Sequence, residues 1–103
     1  MRILLLNPNT TETVTDRLYE AGVKAIAAGT TLIPLTAPRG VPYIATRAEA
    51  QIGGAVALEM LAEHHRTADA AIMAAFGDPG LFGARELGGV PGRGVGGRRR
   101  RCA

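Results

Sequence analysis

The chain has a single cysteine, Cys102, no tryptophan, two tyrosines and two phenylalanines in 103 residues. A lone cysteine excludes an internal disulfide framework and fits a reducing compartment. No apolar run is long enough to span a bilayer, so a membrane protein is not expected. The opening run Ile3–Leu6 is too short for the apolar region of a secretion signal, and no small-residue cleavage site follows it. A cytoplasmic location is therefore the expectation. No GxGxxG follows the first apolar segment and no GxxxxGK[ST] occurs anywhere, which leaves nucleotide binding without support. The only two histidines, His64 and His65, are adjacent. On a helix they would point about 100° apart, so they are not the i,i+4 pair a metal site uses. A favourable interaction with a helix C-terminus explains them better.

What is present divides unevenly. The formal net charge is +3, yet residues 1–91 carry seven basic and nine acidic side chains. The remaining basic residues, Arg93 and Arg98 to Arg101, all lie in the last twelve residues. The segment before that tail is mildly acidic, so the overall charge says nothing about its partners.

Along the chain, "RILLL" (2–6) reads as a strand buried on both faces. "NPNTT" breaks it, and Asn9, Thr10 or Thr11 could cap a helix. From Glu12 to Ala28 the residues Val14, Leu18, Ala21 and Ala25 recur at helical spacing, and Gly29 is a stop. "TTLIPL" (30–35) predicts a second strand, placed at a sheet edge because Pro34 cannot donate to a ladder. "TAPRGVPY" (36–43) is a loop. A second helix is predicted from about Thr46 to His65, turning Ile52, Val56, Met60 and Leu61 to the sheet. "DAAIMAAF" (69–76) predicts a third strand, and "GDPG" (77–80) leads into a short helix around Leu81 to Leu87.

This βαβαβα order predicts a three-layer, flavodoxin-like parallel α/β sheet. The three strand-to-helix loops then fall along its carboxyl edge, where such sheets bind ligands. Asn7, Asn9 and Thr10 would offer donors and acceptors at the first loop, Tyr43 could line the second, and Gly77 and Asp78 belong to the third. On residue type alone, "NPNTT" and "GDPG" are explained as well by turn and cap chemistry, and Asp78 beside Pro79 reads first as a cap.

The opening "MRILLLNPNT", the middle "YIATRAEAQIGGAVALEM" and the later "AAFGDPGLFGAREL" together resemble the hydantoin racemase branch of the aspartate/glutamate racemase superfamily. The resemblance covers residues 1–91 and implies the first half of a two-domain racemase fold. It implies a cofactor-independent isomerase acting on a small amino acid or hydantoin-type substrate held between two similar halves. One thiolate takes the proton from the stereogenic carbon, and a second thiol returns one to the opposite face. Carried over by position, Asn7, Asn9 and Thr10 match the first ligand loop of the family. Phe76, Gly77 and Asp78 match the third loop. The first catalytic cysteine would fall at Ala75, which can neither accept nor donate a proton. The second loop, "APRGVPYIA", departs from the family pattern, so the resemblance does not carry over the identity of the substrate.

The resemblance is expected to stop at Pro91, before a Gly/Arg-rich, disordered tail over 92–103. A GC-rich coding strand for Ala-Glu-Ala-Ala-Met, GCG GAG GCG GCG ATG C, fits the family at this point. Read one base later it gives CGG AGG CGG CGA TGC, or Arg-Arg-Arg-Arg-Cys, which is residues 98–102. A reading-frame shift shortly after Pro91 would account for the change in composition and the loss of pattern together. The competing reading is a non-catalytic interaction domain, or an arginine tail that binds nucleic acid or an acidic surface. No aromatic residue is interleaved in that tail to stack on bases, which argues against a nucleic-acid module. Without a second half, the third strand is expected to lie unpaired at an edge and to favour self-association.

Overall fold

The computed structural model describes residues 1–74, Glu86 and 92–94. Strand β1 (Arg2–Asn7) leads into helix α1 (Glu12–Val23) and strand β2 (Thr31–Thr36). Helix α2 (Arg47–His64) runs on through a 3₁₀ turn, His65–Thr67, to strand β3 (Ala70–Met73), and β4 spans Gly92–Gly94. Among the described residues the strands form one sheet in the order β2-β1-β3-β4. Every neighbouring pair is parallel, with Leu4 opposite Ile33 and Ala71, and Leu6 opposite Leu35 and Met73.

The position of β1 between β2 and β3 explains the layering. The chain steps outward to β2, then passes back over β1 to reach β3. Two crossovers of the same hand must therefore place α1 and α2 on opposite faces. Side-chain burial follows this rule. Leu4, Leu6, Ala71 and Met73 alternate onto one face, where they pack with Val56, Ala57, Met60 and Leu61 of α2. Ile33 and Leu35 extend the same cluster from β2. Leu5 and Leu32 are buried outside that cluster, and Gly22 of α1 lies against Leu32. A Cβ at Gly22 would fall 2.5 Å from the Leu32 Cδ2 atom. The three-layer parallel α/β architecture is as the sequence predicts.

Pro34 does lie in an edge strand, since β2 ends the sheet. The other edge is a correction. β3 is not left unpaired, because Gly92–Gly94 forms β4 against it, with Ile72 opposite Arg93. These three residues belong to the segment expected to be a disordered tail. A three-residue strand containing two glycines carries neither apolar alternation nor β-propensity, so nothing in its composition marks it.

The helices also differ in detail. α1 ends at Val23 rather than Ala28, and Ala21 and Ala25 are exposed. The Gly22 carbonyl gathers the amides of Ala25 and Ile26, and Gly29 takes a left-handed φ of 86°. This return brings Thr31 N–H onto the Met1 carbonyl at 2.8 Å, which starts the β1–β2 ladder. In α2, Ile52 is 43% exposed instead of facing the sheet. The buried stripe is Gly53, Gly54, Val56, Ala57, Met60 and Leu61. Ile44 occupies the space a side chain at 53 would need, its Cδ1 falling 2.6 Å from where a Cβ would stand. Thr46 caps α2 by accepting from Glu49 N–H at 3.1 Å, while the Glu49 carboxylate accepts from Ala45 N–H. The predicted helix around Leu81 to Leu87 lies outside the described residues except for Glu86, which is helical.

Candidate functional site

The carboxyl ends of β1 and β2 place two loops side by side. Asn7, the last residue of β1, is fully buried. Its Oδ1 accepts from Asn9 N–H at 3.2 Å. Its Nδ2 has three acceptors in reach: Asn9 Oδ1 at 2.9 Å, the Thr11 carbonyl at 3.2 Å and Thr15 Oγ1 at 2.9 Å. With only two amide hydrogens, its donor capacity is used up within the protein. Asn7 therefore holds the loop, and its side chain is not exposed to a ligand. Asn9 is half-buried, and its Oδ1 also accepts from Thr11 N–H at 2.9 Å.

Thr15 is the single buried residue of α1, and its hydroxyl lies 2.7 Å from that of Thr36 at the end of β2. The network thus ties β1, α1 and β2 together at one point. A buried polar group costs stability unless it is paired, and here the pairing is complete enough to offset that cost.

The second loop is fastened to the first mainly through backbone atoms. Ala37 N–H donates to the carbonyls of Asn7 and Asn9 at 3.0 and 3.2 Å. Thr10 N–H donates to the Val41 carbonyl at 3.0 Å, and Thr11 Oγ1 donates to the Pro42 carbonyl at 2.6 Å. Thr11 occupies the N-cap position of α1, but its hydroxyl is engaged by Pro42 and no side chain caps that helix. Gly40, at φ 117°, turns the loop onto α2 beside Val56 and Ile52. Arg39 pairs with Glu59 across the same junction, with both side chains more than half exposed. Tyr43 stands 62% exposed at the far end of the loop.

Of the residues singled out from sequence, Asn7, Asn9, Thr10 and Tyr43 fall on this carboxyl edge. Asn7, Asn9 and Thr10 are bonded into one assembly, and Tyr43 follows directly on Pro42, which accepts from Thr11. Ala75, Phe76, Gly77 and Asp78 of the third loop lie outside the described residues, as does Cys102. His65 is engaged at the end of α2, its Nδ1 3.0 Å from the Leu61 carbonyl, and His64 lies beside Glu63. Among the described residues no group of three or more His, Cys, Asp or Glu side chains could hold a metal ion. None of their helices is long and apolar enough to cross a membrane. Thr15 and Thr36 were not singled out in the sequence. The available signal was a threonine at an inward position of an amphipathic helix, four residues after Thr11.

In open parallel α/β sheets ligands bind at the carboxyl edge, the edge on which these two loops are assembled. Residues 3–97 match the Asp/Glu/Hydantoin racemase family model, and the chain belongs to that family. It is 33% identical over 97 residues to a protein named hydantoin racemase from Paenarthrobacter aurescens, an alignment covering 92% of this chain and 41% of that protein. The solved structure of allantoin racemase from Klebsiella pneumoniae superimposes with a TM-score of 0.84 at 33% identity, covering 93% of this chain and 39% of that one. Allantoin racemase from Pseudomonas fluorescens gives a TM-score of 0.88 at 28% identity, with coverage of 92% and 40%. The chain thus spans about two fifths of the length of the relatives it matches. The family match continues to residue 97, beyond Pro91, where the resemblance read from sequence was expected to end.

Proposed function

We propose that this chain is the first wall of the cleft of a cofactor-independent racemase that acts on a small amino acid or hydantoin-type substrate. The observation that carries this reading is the family match across residues 3–97, combined with the loop assembly at Asn7–Thr11. Racemisation of such a substrate removes a weakly acidic proton from carbon, so a base must be held in near-attack geometry. The resulting anion also needs donors that are already in place. The first loop supplies donors of this kind through Asn9 and Thr10, with Asn7 holding them, and Tyr43 borders the opening from the second loop. Phe76, Gly77 and Asp78 are proposed as the third-loop wall.

The base is what this chain lacks. Ala75 stands where the family resemblance places the first thiol, and Cys102 follows four arginines in the tail. The chain alone is therefore proposed to bind weakly and not to turn over. The two-thiol mechanism belongs to a longer protein that includes the second half. A parent that retains a single thiol is the variant of this reading that Ala75 suggests. Allantoin, named in the titles of both structural neighbours, is a suitable first substrate alongside 5-substituted hydantoins.

The test begins with the coding DNA from about codon 85 onward, read in all three frames. A frame that resumes a family-like strand, followed later by a cysteine, supports the reading. The protein encoded by that frame should then erase the optical rotation of enantiopure allantoin or a 5-substituted hydantoin in D₂O, placing one deuterium at the stereogenic carbon. The 103-residue chain should not do so. Exchange catalysed by the short chain would contradict the assignment of its missing base. A continuation protein with no exchange on any such substrate would contradict the racemase reading itself.

A further inference from the structure

We propose that Asn7, held by Thr15, is a positioning residue that keeps the polarity of the first loop, so that Asn9 presents a hydrogen-bond donor and the opening selects ligand acceptor atoms. The proposal rests on the reading of that loop as a substrate loop only for the identity of the ligand. The polarity itself follows from the bonds.

The orientation of an asparagine amide is set by partners that cannot reverse their role. A backbone N–H can only donate. Thr11 N–H therefore requires Asn9 Oδ1 on its side, at 2.9 Å, and Asn9 N–H requires Asn7 Oδ1 at 3.2 Å. Both amides are thereby locked. Asn7 Nδ2 must then face Asn9 Oδ1 and Thr15 Oγ1, each at 2.9 Å, together with the Thr11 carbonyl. Every one of these atoms is an acceptor, so the assignment is consistent throughout.

The consequence reaches the carboxyl edge. The Asn9 Oδ1 receives two donors from inside the loop, so its Nδ2 is the outer branch of a half-buried side chain. Among the described residues that nitrogen has no hydrogen-bond partner. Thr15 Oγ1 accepts from Asn7 at 2.9 Å and lies 2.7 Å from Thr36 Oγ1, a pair in which either hydroxyl can donate. The loop presents the Asn9 N–H groups, suited to a carbonyl oxygen or an enolate or imide anion and unfavourable to a ligand N–H. A ligand donor placed there would face a donor, and such mismatches discriminate strongly when the protein group cannot reorient.

The test uses the side-chain amide signals of the ¹⁵N-labelled chain, with 5-methylhydantoin as the probe. In the wild type, the Asn7 amide hydrogens should exchange with solvent at least about tenfold more slowly than those of Asn9, because the Asn7 side chain is fully buried and bonded to Thr15 and Asn9. Thr15→Val removes one acceptor. It should speed Asn7 exchange and move the Asn9 amide signals, and Thr15→Ser should restore both. Asn9 signals that stay in place in Thr15→Val would overturn the positioning role. Should Thr15→Val not fold, Thr15→Ala removes the same acceptor and is read in the same way.

Asn9→Asp keeps an acceptor for Thr11 N–H but replaces the outward donor with an acceptor. Binding of 5-methylhydantoin should weaken about tenfold or more, the scale of one hydrogen bond turned into a repulsion. Unchanged binding by Asn9→Asp would overturn the selection for acceptors. A wild-type chain that shows no binding of the hydantoin would count against the racemase reading, while the exchange and signal-shift experiment would still decide the positioning role.

Discussion

Helices α1 and α2 have opposite relations to the sheet. α2 buries Gly53, Gly54, Val56, Ala57, Met60 and Leu61, a broad apolar contact that forms one side of the main core. α1 buries only Thr15, and two of its large apolar side chains, Tyr19 and Val23, remain exposed. The one residue that α1 commits to the interior is polar, and its partners are Asn7 and Thr36. The stability of the domain thus rests mainly on α2, whereas α1 is tied to the loop that forms the candidate site. A core of one chemical kind and a site of another can share four parallel strands because they use opposite faces and different depths of the sheet.

That division can be tested by substitutions measured in urea denaturation. Leu61→Ala removes a fully buried side chain from the α2 contact and should cost about 3 kcal/mol, the usual scale for a core cavity. An effect below about 1 kcal/mol would show that α2 is not the main anchor. Asn7→Ala should cost about 2 kcal/mol, because it leaves the buried acceptor at Thr15 and the half-buried one at Asn9 without their donor. Thr46→Ala, which deletes the cap of α2, should cost about 1 kcal/mol. Arg39→Ala should change stability by no more than about 0.5 kcal/mol, since its pair with Glu59 is exposed. If Asn7→Ala proved as mild as Arg39→Ala, the contrast between a polar site anchor and a surface contact would collapse.

Much of the fold was legible because burial on both faces leaves a plain mark. "RILLL" reads as a central strand, and Pro34 alone identifies the edge strand. The features that were not legible share a physical cause, which is that they depend on glycine or on polar side chains facing inward. The α2 contact begins at Gly53 and Gly54, so counting apolar side chains pulled the predicted stripe one residue round, to the exposed Ile52. β4 is Gly-Arg-Gly, a strand held by its backbone ladder without side-chain alternation.

The site shows the same pattern. Asn7, Asn9 and Thr10 could be found because a turn follows a strand there, but sequence could not separate the residue that holds the loop from those that face outward. Burial and bond direction make that separation. Thr15 could be read only as one more residue of an amphipathic helix until its distance to Asn7 was known. The third loop, with Ala75 and Asp78, lies outside the described residues, and its role rests on family resemblance.

The most direct measurement is a backbone ¹H–¹⁵N spectrum of the chain titrated with a 5-substituted hydantoin. A racemase-type wall at the carboxyl edge predicts saturable shifts concentrated at Asn9, Thr10 and Val41 to Tyr43, with the opposite edge around Arg2, Gly29 and Asp69 unmoved. Shifts centred on that opposite edge, or none at any concentration, would contradict the account.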